Sequence, residues 1–120
     1  MATFSKTILS GSTDGKGIKV AAIATAGTTI HTGSSTATTL DEVWLYAVNT
    51  SGSDVKLTVE WGGVAAPDDH IEYTVKAENG LYLIVAGGLI KGNATPLVVR
   101  AFAASADVIV VHGYVNRITA

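Results

Sequence analysis

The sequence predicts an all-β fold, a single antiparallel β-sandwich of jelly-roll type with about eight strands and an extended N-terminal arm. Val, Thr and Ile, the β-branched residues that favour strands, are abundant. Short segments in which apolar and polar residues alternate recur along the chain, with turn-forming residues between them. No stretch has the 3.6-residue apolar period and the capping residues of a helix.

Each predicted strand is a β-branched or alternating segment bounded by Gly, Pro, Asn, Asp or Ser. After a short extended stretch at 3–9, the strands are predicted at 18–24, 28–32, 42–49, 55–61, 71–75, 81–85 with a continuation to 90, 97–103 and 108–118. Two hairpins are expected. One joins the segments 42–49 and 55–61 through the polar turn 50–54. The other joins 71–75 and 81–85 and turns at Asn79–Gly80, a dipeptide typical of type I′ turns.

The alternation also predicts which side chains share a face. In the segment 42–49, Trp44 and Tyr46 share one face, and the aliphatic residues between them share the other. In the last strand, Ile109, Val111 and Val115 point the same way. Because aromatic residues take one face of the segment 42–49 and aliphatic residues the other, we expect a buried strand with both faces covered.

The chain divides into an N-terminal extended arm or first strand at 1–19 and a single β-sandwich domain at 20–120. The first segment is polar and rich in glycine, with few large side chains. An extended arm can add a strand to the free edge of a partner's sheet, where main-chain hydrogen bonds give affinity. The candidate residues for contact with a partner protein or a second subunit are Thr3, Phe4, Lys6, Ile8 and Leu9.

Charge and composition exclude several classes of function. The net charge is −2 and the Lys and Arg residues are scattered, so binding to nucleic acid through its phosphates is not expected. The apolar runs are too short to span a membrane, and no partner in a membrane is expected. Charged residues make up 15% of the chain, which is low for a soluble domain. Either uncharged polar residues cover the surface or partners bury part of it.

The sequence offers no catalytic or metal-binding motif. The densest polar cluster, from Asp68 to Glu72, is either a cation site or a solvated loop, and the Pro67–Asp68–Asp69 turn favours the loop. The three histidines lie in different segments without metal-ligand spacing, and no nucleophile elbow or phosphate-binding loop is present. We expect no enzyme activity, no cofactor and no metal.

Three aromatic residues leave two interpretations open. Trp44, Tyr46 and Trp61 lie close together in the first predicted hairpin. Exposed on a sheet face, such rings stack against sugars, whereas buried among aliphatic residues they form part of a core. The aliphatic neighbours favour the core.

Four sequence segments between Ile30 and Ile118 resemble small virion structural proteins of tailed bacteriophages, a class that includes capsid decoration (cement) proteins. They are IHTGSS, TLDEVWLYAVNTSGSDVKLTVEWGG, ENGLYLIV and VIVVHGYVNRI. The resemblance implies a non-enzymatic protein on the capsid surface of a virion. Its partners would be the major capsid protein, whose shell it stabilises from outside, and two further copies in a homotrimer.

Two other functions remain open from the sequence. The first is a carbohydrate- or receptor-binding β-sandwich module of a phage head or tail fibre, which needs Trp44 or Trp61 exposed. The second is a hydrolase or metal-dependent enzyme, which needs His and Asp residues brought together by the fold.

Overall fold

The computed structural model describes residues 2–120 and has an all-β fold without a helix over that range. Within it, nine strands form two antiparallel sheets that pack as a β-sandwich, which confirms the predicted fold class. In chain order the strands are β1 (Thr3–Ile8), β2 (Ile18–Lys19), β3 (Thr28–Thr32), β4 (Leu40–Asn49), β5 (Val55–Trp61), β6 (His70–Val75), β7 (Tyr82–Lys91), β8 (Val98–Ala103) and β9 (Ile109–Thr119).

Most connections between successive strands cross from one sheet to the other. Sheet A has the order β1-β9-β4-β7, with β2 also pairing with β9, and sheet B has the order β3-β8-β5-β6. Only β5 and β6 are consecutive in the chain and paired along their length. From β3 to β9, all the remaining connections cross from one sheet to the other.

Both predicted hairpins are therefore wrong. Strands β4 and β5 lie in opposite sheets, and so do β6 and β7. At the second connection the positive φ angles belong to Glu78 and Gly80, not to two adjacent central residues as a type I′ turn requires. Alternation specifies that a segment is a strand, but it does not specify the strand beside which it lies.

The core lies between the sheets and takes up only one face of β4, so the prediction that both faces of this strand are covered is wrong. Burial alternates strictly along β4, where Val43, Leu45 and Ala47 are buried and the residues between them are partly exposed. Ile109 and Val111 of β9 are also buried. Each large aliphatic side chain removed from water contributes about 1.5–3 kcal/mol, so this interface holds the two sheets together.

The N-terminal segment lies in the sandwich rather than apart from it. Residues Thr3–Ile8 form β1, which pairs antiparallel with β9 from Thr3↔Thr119 to Ile8↔Tyr114 without a register shift. Of the two alternatives for residues 1–19, the structure thus has a first strand, at the edge of sheet A. Met1 lies outside the described residues.

Two predicted strands differ from the observed ones. The predicted strand 18–24 is reduced to Ile18–Lys19, and the chain that follows crosses over the outer side of sheet B. Strand β7 runs through Gly87 and Gly88 without ending, but its pairing with β4 shifts register there, with Gly88 opposite Val43 and Ala86 opposite Trp44. A Cβ on Gly87 would lie 3.1 Å from the Trp44 ring, and one on Gly88 would lie 2.7 Å from the Trp61 ring. The glycines leave room for an indole on each side of β7.

Candidate binding surface on sheet A

The outer face of sheet A, the side turned away from sheet B, carries a row of three polar residues. Lys6 of β1 lies opposite Asn116 of β9, and Asn116 lies opposite Glu42 of β4. Directly opposite residues in antiparallel strands have Cβ atoms about 4.5–5.5 Å apart. We call Lys6, Asn116 and Glu42 the polar row.

Apolar residues flank the polar row on both sides. The neighbouring row towards the start of β1 is aliphatic and aromatic, and the row on the other side is mainly aromatic. The first consists of Phe4, Ile118 and Leu40, and the second of Ile8, Tyr114 and Trp44. The face therefore combines hydrogen-bonding groups with apolar walls, as ligand sites in proteins commonly do.

Glu42 is held in one orientation by two neighbours. Its Oε1 accepts hydrogen bonds from Trp44 Nε1 at 2.7 Å and from Asn116 Nδ2 at 2.9 Å. These hydrogen bonds, from Trp44 first and Asn116 second, lower the pKa of the Glu42 carboxyl against a small opposing effect of burial. The carboxylate is therefore ionised at neutral pH. Its Oε2 accepts no hydrogen bond from the residues that the structure describes.

The aromatic side of the face is ordered by stacking. The rings of Trp44 and Tyr114 are nearly parallel, with an interplanar angle of 10° and centroids 6.1 Å apart. The ammonium group of Lys6 lies 5.0 Å from the centroid of Tyr114, within the range of a cation–π interaction.

A shallow pocket of about 250 Å³ opens between β1, β9 and β4. It is lined by Phe4, Ser5, Lys6, Glu42, Asn116 and Ile118. The side chain of Phe4 is 72% exposed, and Ile8 and Leu89 on the same face are 50% and 56% exposed. The pocket lies on a face whose exposed apolar side chains no other part of the described chain covers.

The candidate contact residues fall on two sides of β1. Thr3, Phe4, Lys6 and Ile8 are exposed. Leu9 is 1% exposed and belongs to the core, so its side chain does not reach a partner in this structure. Leu9 follows the outward-facing Ile8 by one residue, so alternation directs its side chain towards the core.

The predicted cluster of three aromatic residues is separated by the fold. Trp44 lies on the outer face of sheet A, whereas Trp61 lies against the core between the sheets. Tyr114, Glu42 and Asn116 were not predicted as members of a site. Each stands on the polar or aromatic side of an alternating strand, but only the pairing of β4 with β9 brings them together.

A buried charge cluster joins β3, β4 and β9 on the inner side of sheet A. Asp41, 1% exposed, accepts two hydrogen bonds from the Arg117 guanidinium at 2.7 and 2.8 Å and one from His31 Nε2 at 2.8 Å. His31 Nδ1 accepts a hydrogen bond from the backbone N–H of Ser10. The ring proton is therefore on Nε2, which donates the hydrogen bond to Asp41. His31 and Asp41 are enclosed, and the cluster stabilises the fold rather than meeting a substrate.

Acid is expected to remove the contribution of Asp41 to stability. Burial alone raises the pKa of Asp41, but the hydrogen bonds from Arg117 and His31 and the charge of Arg117 outweigh it and leave the pKa lowered. A lowered folded-state pKa stabilises the protein above the unfolded-state pKa of about 4, and that stability is lost as the pH falls through the folded-state value. The difference in unfolding free energy between wild type and Asp41→Asn should therefore shrink below about pH 4.

Urea unfolding at neutral pH and at a series of acidic pH values measures this difference. Asp14→Asn, at an exposed position, is the control and should leave the pH profile of wild type unchanged. A difference between wild type and Asp41→Asn that stays constant down to the acid-unfolded range would contradict the assignment.

Hydrogen bonds to a second buried carboxyl, Glu60, hold the loop 20–27 against the outer side of sheet B. Glu60 is 0% exposed and accepts hydrogen bonds from Thr25 Oγ1 at 2.5 Å and from the backbone N–H of Gly27 at 2.7 Å. Its Oε2 lies 3.8 Å from His70 Nε2, too far for a hydrogen bond. The expected polar face of β5 is thus buried where this loop covers it.

The polar segment Asp68–Glu72 does not gather into a cation site. Asp69 Oδ2 accepts the backbone N–H of Ala65, which closes the loop, and Glu72 forms an exposed ion pair with Lys56. Across residues 2–120 no three His, Asp or Glu side chains come close enough together to hold a metal ion.

No helix long and apolar enough to cross a membrane occurs within this range. Comparison of the chain with known protein families, with curated proteins and with solved structures finds no match.

Proposed function

We propose that this protein is a non-enzymatic capsid decoration (cement) protein of a tailed phage. It binds the outer surface of the major capsid protein shell as a homotrimer and stabilises the virion. The observation that carries the proposal is the uncovered apolar surface on the outer face of sheet A. The resemblance of the segments between Ile30 and Ile118 to small virion proteins supplies the kind of partner.

The exposed apolar side chains support contact with another protein. Phe4, Ile8 and Leu89 project from the same face and are at least half exposed. The polar row separates Phe4 from Ile8, so the face combines apolar and polar groups, and exposed apolar side chains gathered on one face commonly mark interaction sites on soluble proteins. A face that a partner covers also accounts for the low share of charged residues, 15% of the chain.

The edge strand β1 offers a second means of attachment. One hydrogen-bonding edge of β1 pairs with β9, and no strand among the described residues pairs with the opposite edge. The free N–H and C=O groups can receive an extended segment of a capsid subunit by strand addition. A partner strand placed there would lie beside Phe4 and Ile8.

The proposed mechanism of stabilisation needs no chemistry. A protein that binds the assembled shell and not free capsid subunits shifts the equilibrium towards the shell by mass action. Many small contacts at equivalent positions of the capsid then add up.

The strand orders β1-β9-β4-β7 and β3-β8-β5-β6 support the further proposal that the sandwich is a jelly roll.

The proposal is tested by binding to mature capsids that lack the protein, from the virus that encodes it. Wild type should sediment with these capsids and raise the temperature at which they open. Ile8→Asp and Leu89→Asp should each weaken sedimentation about tenfold or more, since each places a charge in an apolar contact. Light scattering of the free protein should give a mass near three times 12.3 kDa if the trimer forms before attachment.

Ile23→Asp is the matched control. Ile23 is 63% exposed but lies in the loop over sheet B, so the substitution adds the same charge away from sheet A. Equal loss of binding in Ile23→Asp and Ile8→Asp would argue against the outer face of sheet A as the contact. No sedimentation of wild type with capsids would overturn the proposed function.

A different observation favours a second candidate, a carbohydrate- or receptor-binding module of a head or tail fibre. The parallel rings of Trp44 and Tyr114 lie on the same uncovered face. The negative faces of aromatic rings attract the weakly positive C–H groups of sugars. Trp61 does not contribute, because it packs against the core.

A further inference from the structure

The polar row on the outer face of sheet A has the composition of a site for hydroxyl groups. We propose that Lys6, Asn116 and Glu42 bind adjacent hydroxyls of a neutral saccharide and that one sugar ring sits in the pocket beside Phe4. This inference rests on the second candidate function, carbohydrate binding, and assigns its residues and its ligand chemistry.

The polar atoms that the fold leaves free match a pair of hydroxyls. Glu42 Oε2 and Asn116 Oδ1 are acceptors without a hydrogen-bond donor among the described residues, and Lys6 Nζ is a donor without an acceptor there. A hydroxyl both donates and accepts a hydrogen bond. Two neighbouring hydroxyls of a sugar can therefore donate to the two oxygens while accepting from the ammonium group.

The charges of the row favour a neutral ligand. Glu42 and Lys6 carry opposite charges on either side of Asn116. An anion would meet the Glu42 carboxylate, and a cation would meet the Lys6 ammonium. A sugar ring without charge satisfies both groups, and its hydrogen bonds to them are charge-assisted.

The site is oriented before a ligand arrives. Trp44 and Asn116 hold one oxygen of Glu42, which leaves the other directed away from them. Lys6 is restrained over the Tyr114 ring. Groups that are already in place lose less conformational entropy on binding.

The pocket walls suit the apolar part of a sugar. Phe4 and Ile118 line the pocket beside the polar row. At about 250 Å³ the pocket is smaller than the roughly 300–1,000 Å³ typical of drug-sized ligands, so it accommodates a single ring. The exposed ring of Phe4 can stack on C–H groups while the hydroxyls face the polar row.

Titration of ¹⁵N-labelled protein with neutral trisaccharides tests the proposal. The probes are maltotriose, cellotriose, mannotriose and N,N′,N″-triacetylchitotriose, each at about 10 mM, which loads a site of millimolar Kd. At least one should shift the amide signals of Lys6, Glu42 and Asn116 in the NMR spectrum. Glu42→Gln and Asn116→Ala should each raise its Kd about tenfold or more.

Glu72→Gln is the control for loss of a carboxylate, because Glu72 lies on β6 in sheet B. It should bind the sugar as wild type does. Binding that shifts Trp44 and Tyr114 but persists unchanged in Glu42→Gln would overturn the polar-row site and leave carbohydrate binding standing. No shift with any of the probes would overturn both.

Discussion

Replacement of Arg117 by alanine is expected to destabilise the protein by about 3–5 kcal/mol. The substitution removes both guanidinium hydrogen bonds from Asp41, whose side chain is 1% exposed. A buried carboxylate that loses its main partner keeps the full cost of desolvation, and neutral His31 alone does not offset it. Because the Arg117 side chain is 32% exposed and water can partly replace it, the lower end of the range is expected.

Urea unfolding at neutral pH measures this loss. Arg100→Ala is the matched control, since Arg100 is the only other arginine and forms no ion pair among the described residues. Its cost should be about 1 kcal/mol or less. If Arg117→Ala and Arg100→Ala lower the free energy of unfolding by the same amount, the buried charge cluster contributes little to stability, and the expected loss is wrong.

Replacement of Gly113 by alanine is expected to cost about 3 kcal/mol or more. A Cβ at Gly113 would overlap the backbone carbonyl oxygen of Trp44 and approach Leu45 Cα to 3.3 Å. These atoms belong to the neighbouring strand β4, which cannot yield as a flexible side chain would. The two central strands of sheet A must therefore separate locally, with loss of ladder hydrogen bonds and of the Trp44–Tyr114 stack.

The melting temperature and the tryptophan emission report this change. Gly52→Ala is the control, because nothing lies within 4 Å of a Cβ at that position. It should melt within a few degrees of wild type, whereas Gly113→Ala should melt well below it. A Gly113→Ala variant as stable as Gly52→Ala would show that β4 and β9 are not as close as the structure has them.

The candidate surface was only partly predictable. The exposure of Phe4 and Ile8 follows from a short polar segment that has too few apolar residues to form a core. The polar row could not be predicted, because Lys6, Glu42 and Asn116 are far apart in the sequence and meet only through the register of three strands. Trp44 and Trp61 are separated because Trp61 shares the core side of β5 with Leu57 and Val59, whereas Trp44 lies on the outer side of β4.

The sequence by itself determined the local properties of this chain. Period-two alternation specified that it folds as strands and which side chains of β4 and β9 share a face, since a strand places successive residues on opposite faces. Tertiary structure alone decided which strands pair. That choice buried Glu60 under the loop after β2, enclosed Asp41 with His31 and Arg117, and let β7 run through Gly87 and Gly88. Strand pairing depends on contacts between distant segments, and the pattern within any one segment does not contain them.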